Sequence, residues 1–63
     1  MDNRLKEIRE EKRITQEELA ERSGVSRTTI SGIENKTIQS TTSKTLIAIA
    51  KALDVTVEKI FLF

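Results

Sequence analysis

TQEELAERSGVSRTTISGIE, Thr15 to Glu34, spells two short helices and the turn between them. A capping box is expected at its start: the Thr15 hydroxyl accepts from the Glu18 amide, and the Glu18 carboxylate reaches back to the amide of Thr15. Leu19 and Ala20 are expected to point inward, with Ala20 small enough for a second helix to cross closely. Gly24 falls where the first helix stops and the chain turns, a position that commonly needs a positive φ. Val25 fills the corner, Ser26 caps the second helix, and Ile30 and Ile33 bury its inner side.

Outward from this stretch the pattern stays helical, with no proline and no alternating strand run. Asp2 or Asn3 is expected to cap a first helix running to about Arg13, with Leu5, Ile8 and Lys12 on one stripe and Ile14 closing it. The two central helices cover roughly 16–23 and 27–35. NKTIQSTTS, residues 35–43, is polar and reads as a loop in which Ile38 stands out. One of Thr41, Thr42 or Ser43 caps a fourth helix through about Leu53, whose Leu46, Ile47, Ile49, Ala50 and Leu53 form the widest apolar face. Asp54 and Val55 make a turn, and Thr56 caps a last short helix with Val57, Ile60 and Phe61 inward; Leu62 and Phe63 trail off. Five short helices around one aliphatic core predict an all-α single domain over residues 1–63.

A chain of 63 residues buries only about 60% of its unfolded surface, so its core is thin and pairing with a second copy would help it. It has no cysteine and no histidine, which removes disulfides and the usual zinc ligands; no metal and no cofactor are expected. No apolar run approaches the roughly 20 residues of a membrane span, and the N-terminus MDNRLKEIREEK is charged rather than signal-like. A soluble, cytoplasmic protein without a membrane partner is expected. Net charge is +1, but it is unevenly spread. Residues 1–25 hold six Lys/Arg and seven Asp/Glu, whereas residues 26–51 hold Arg27, Lys36, Lys44 and Lys51 against Glu34 alone. The positive excess lies on and just after the second helix of the opening stretch, where phosphates would lie on a nucleic acid.

A small residue, a glycine and spaced aliphatics in this order make a helix-turn-helix, the motif that places its second helix in the DNA major groove. The chain resembles the Cro/repressor helix-turn-helix family, the xenobiotic-response-element (XRE) type of phage and bacterial regulators. The resemblance runs from NRLKEIREEKRITQEELAERSGVSRTTISGIEN through KTLIAIAKALDVTVEKIF, nearly the whole chain. It rests on Gln16-Glu17-Glu18-Leu19-Ala20, the Gly24 turn, Ile30, Ile33-Glu34-Asn35 and the final KALDVTVEKIF. Lys36 and Thr41 depart from it, since the family commonly has glycine after the Glu-Asn pair and proline before the fourth helix. Asn35 is then expected to take the left-handed cap, which Asn tolerates.

On a wheel of 100° per residue, Ile30 and Ile33 define the buried side of the recognition helix, residues 27–35. Thr28 and Asn35 fall almost opposite, Ser31 and Gly32 lie beside them, and Arg27 flanks the N-terminal end. The resemblance implies base reading at Arg27, Thr28 and Gly32. A guanidinium there can bind guanine O6 and N7 bidentately, or serve as a phosphate contact. Thr28 offers its methyl to thymine or its hydroxyl to a base or phosphate. Gly32 reads no base with a side chain, so either the backbone approaches DNA closely or shape carries more of the recognition. Gln16, at the start of the second helix, is the residue the family uses on a phosphate, and free amides there favour an anion. Ser26, Asn35, Lys36, Thr37 and Lys44 suit further phosphate contacts. The family also implies a partly buried bridge between Arg9 and Glu34 that fixes the recognition helix on its scaffold. The remaining carboxylates are interleaved with Lys and Arg and read as a solvated face, not paired catalytic acids.

The function expected from these residues is sequence-specific binding of double-stranded DNA by a repressor acting through occlusion, because no second domain is expected. The competing expectation is a protein-interaction or antitoxin-like module on the same fold, kept open by Gly32 and the low net charge. Serines without a neighbouring base and the absence of a Gly-rich phosphate loop give no support to an enzyme. No small-molecule ligand is expected. Ile60, Phe61, Leu62 and Phe63, four consecutive apolar residues, are the expected surface of a homodimer; the alternative is that Ile60 and Phe61 finish the monomer core while Leu62 and Phe63 fold over it.

Overall fold

A computed structural model describes residues 2–37 and 41–62 and shows five helices: α1 (Leu5–Glu11), α2 (Gln16–Ser23), α3 (Arg27–Glu34), α4 (Ser43–Ala52) and α5 (Val57–Ile60). The class is all-α. Leu5, Ile8, Ile14, Leu19, Ile30, Ile33, Leu46, Ile49, Ala50, Leu53, Ile60 and Phe61 are buried in one core, with Ala20, Val25 and Val55 packed against it. α2 packs on both α3 and α4, so the first helix of the motif is its structural centre. No helix among the described residues is long and apolar enough to cross a membrane.

The helix starts follow local chemistry. Thr15, Ser26, Thr42 and Thr56 each accept the amide of the third residue onward, and Thr15 with Glu18 completes a reciprocal box. Gly24 ends α2 at φ 73°, a left-handed conformation that costs glycine nothing. The other left-handed stops are made without glycine. Arg13, Lys36 and Asp54 adopt φ of 57°, 62° and 57°. After each, the next amide bonds the carbonyl five residues back, Ile14 to Arg9, Thr37 to Gly32 and Val55 to Ala50, as in a Schellman closure. A non-glycine residue pays roughly 1–2 kcal/mol for this conformation, and an added glycine returns roughly 0.5–1 kcal/mol of that in chain entropy. Asp54→Gly should therefore stabilise the domain by about 0.5–1 kcal/mol, helped by removing a carboxylate from a helix C-terminus. Thermal melting checks this; a lowered Tm would contradict it.

Several expectations are corrected. Neither Asp2 nor Asn3 is the N-cap residue of α1: both belong to a two-residue strand, β1 (Asp2–Asn3), antiparallel to β2 (Phe61–Leu62), and only the Asn3 side chain reaches an amide at the helix start. Arg4 occupies the N-cap without a side-chain cap bond, while Asn3 accepts from the Leu5 amide and donates to the Ile33 carbonyl at 3.0 Å. Leu62 thus pairs with Asp2 instead of trailing off. Lys12 is exposed, past the end of α1. Ile47 is 47% exposed, because the i, i+3, i+4, i+7 stripe of Leu46, Ile49, Ala50 and Leu53 is complete without it. Asn35 stays right-handed at φ −82°, and Lys36 takes the left-handed position. Ile60 and Phe61 are buried within the single chain, so neither is available as a dimer surface. Phe63 and Ile38 lie outside the described residues.

Candidate nucleic-acid interface

α2 and α3 are held at a fixed angle by their caps, the Gly24 turn and the aliphatic side chains beneath them. With Ile30 and Ile33 buried, geometry leaves Arg27, Thr28 and Asn35 exposed and Ser31 half-buried on the opposite side of α3. Asn35 donates to the Ser31 hydroxyl at 3.3 Å, tying two neighbours on that face. A groove of about 500 Å3 runs past Gln16, Arg27, Thr28, Ser31, Asn35 and Thr37, with Gly32 also in its wall. It is open to solvent rather than enclosed. Ser26 caps α3 from an exposed position, and its hydroxyl also bonds Thr29 Oγ1 at 2.9 Å.

Gly32 departs from the expectation of a base reader. It is buried, and its carbonyl accepts both the Thr37 amide at 3.0 Å and the Thr37 hydroxyl at 3.3 Å. The wheel places residue 32 as far from the core as Ser31, yet Gly32 is buried and its carbonyl is taken up by the closing turn at Thr37. Thr37 therefore has its hydroxyl engaged at the end of the helix, while Lys36 and Lys44 are exposed nearby in sequence to the turn and to the first turn of α4.

Beneath the outer face lies a charged network. Arg9 Nε donates to Glu34 Oε2 at 2.7 Å and Arg9 Nη2 to Oε1 at 3.1 Å, a two-pronged contact. The two side chains are 12% and 2% exposed. Arg9 Nη1 also donates to the Ile14 carbonyl at 2.8 Å, and Gln16 Nε2 donates to Glu34 Oε1 at 3.2 Å. One carboxylate on α3 thereby anchors α1 and the first residue of α2. The hydrogen bonds that Arg9 donates to Glu34, opposed by burial and helped by the carboxylate charge, raise the Arg9 pKa above the ordinary arginine value. Among the described residues no buried side-chain polar atom lacks a partner.

Two contacts escaped the sequence reading. Gln16 bonds Glu34 across 18 positions, and Arg27 Nη1 bonds Glu17 Oε1 at 3.2 Å across ten. Each joins α2 to α3 across the turn, so helical periodicity within one helix does not reveal them.

The sequence pattern of the helix-turn-helix family matches residues 5–60, which covers every helix described above. No curated protein sequence matches the chain significantly.

Proposed function

Because the chain belongs to the helix-turn-helix family, among its Cro and XRE-type DNA-binding regulators, we propose that it is a sequence-specific repressor that reads the major groove with α3. The observation that carries this reading is the split character of α3: Ile30 and Ile33 are fixed in the core while Arg27, Thr28, Ser31 and Asn35 form a polar outer face. Arg27 supplies the main base contact, to guanine O6 and N7, and Thr28 and Ser31 add methyl or hydroxyl contacts. Gln16, Ser26, Asn35, Lys36, Thr37 and Lys44 are assigned contacts to the flanking phosphates, which set register rather than sequence. Bound to an operator, the domain represses by occupying the site that polymerase needs.

The protein binds as a homodimer. A single module of this kind buries only about 600–1,000 Å2 on DNA, little for tight binding, and two copies would read half-sites about 10 bp apart. Since Ile60 and Phe61 are taken up by the core, pairing has to use other surface.

The test is selection of duplexes from a randomised pool, followed by binding of wild type and variants to the selected and a random duplex over a range of salt. Arg27→Ala should leave the fold intact and lose about 1–3 kcal/mol on the selected site alone. Lys44→Ala should weaken binding to both duplexes alike and lower the salt slope by about 1. Equal losses on both duplexes for Arg27→Ala would make Arg27 a phosphate contact. A wild type that enriches no duplex would point to the protein-interaction module instead.

A further inference from the structure

The acidic partner of Arg27 contributes to the fold only as a carboxylate in the first turn of α2, favourable to the helix dipole. Glu17 is the second residue of α2, is 74% exposed, and meets a guanidinium that is itself 62% exposed. The capping box is made by Glu18, not Glu17, and no core residue depends on the pair. A carboxylate beside the recognition helix is also unfavourable for binding a polyanion, since every duplex brings phosphates to this face. Its geometry suggests what offsets that cost.

A guanidinium has five N–H donors, and Glu17 takes one of them, on Nη1. The edge formed by Nε and Nη2 makes no other hydrogen bond among the described residues. That edge carries two parallel donors, the arrangement that matches guanine O6 and N7. Held at Nη1, Arg27 keeps this edge for a base, whereas swinging out to a phosphate breaks the contact with Glu17. Arg27, Glu17 and Gln16 also line one recess together with Arg9 and Thr15, so the pair sits at the junction of the two helices that meet the groove.

We infer that Glu17 is a positioning residue that raises sequence specificity, by holding the Arg27 guanidinium for base contact and repelling phosphate from it. The inference rests on the DNA-reading role proposed for Arg27. Glu17→Gln keeps the side chain's size and removes its charge. It should bind a random duplex roughly five-fold tighter and the selected duplex less than about two-fold tighter, so the ratio of the two affinities falls. In an Arg27→Ala background, the same substitution should tighten both duplexes equally and leave the ratio unchanged. A ratio unchanged by Glu17→Gln in the wild-type background overturns the role of Glu17, and so does an equal fall in the ratio without Arg27. If Arg27→Ala lowers the ratio and Glu17→Gln does not, the reading of α3 stands and Glu17 alone is dismissed. A wild type with no preference among duplexes overturns both.

Discussion

Glu34→Ala should remove about 3–5 kcal/mol of stability, the characteristic loss when one member of a buried ion pair is deleted. The exposure of 12% for Arg9 and 2% for Glu34 leaves little solvent to screen the orphaned charge. A 63-residue domain has only about 3–9 kcal/mol in total, so the loss takes a large share of its stability and unfolds it outright at the low end of that range. The loss extends beyond one pair, because Glu34 also receives the Gln16 side chain and holds α1 and α2 to α3. Replacing both partners by apolar residues of similar size, Arg9→Met with Glu34→Leu, should recover a large part of it, since no charge is then buried alone. Urea denaturation of the single and double variants measures this. A midpoint unchanged in Glu34→Ala would remove the network as a structural element.

Arg9 has a defined response to pH. Arg9 titrates above its ordinary value in the folded state, so its stabilisation is fully present below the unfolded arginine pKa and is lost only as pH rises through the folded one. Across the neutral and mildly alkaline range the Arg9 contribution is therefore constant.

Phe61→Ala should cost about 3–5 kcal/mol, the usual result of emptying a large aromatic site in a core. Phe61 is among the largest fully buried side chains, and its backbone pairs with Asn3 across the terminal strands. The penalty should be the same at low and high protein concentration, because the side chain is buried within one chain. A penalty that appears only at concentrations where wild type self-associates would return Phe61 to a subunit interface.

What could be read from the sequence and what could not follow the range of the interactions involved. The capping box at Thr15 and Glu18, the left-handed Gly24 and the Thr56 cap are set by residues within four positions, and local chemistry fixes them. The i, i+3, i+4, i+7 rows that fill the core are local in the same sense. The start of α1 was not legible, because Asp2 and Asn3 are drawn into pairing with Leu62 and Phe61 at the other end of the chain. The wheel could not show that Gly32 is buried with its carbonyl bonded to Thr37, or that Ile47 stays outside a face already complete. On the outer face of α3 periodicity gives the direction of Arg27 and Thr28, whereas the partner of Arg27 depends on how the turn sets α2 beside it. The left-handed Lys36, in place of Asn35, reflects a Schellman closure whose register is decided by where α3 ends.

The central claim is that α3 reads a particular DNA sequence, and competitive binding to a selected duplex and a random duplex at one fixed salt concentration tests it most directly. Wild type should favour the selected duplex by about 10³-fold or more, the lower bound for specific recognition. Arg27→Ala, with its fold intact by circular dichroism, should lose most of that preference. Equal affinity of wild type for both duplexes would contradict the account.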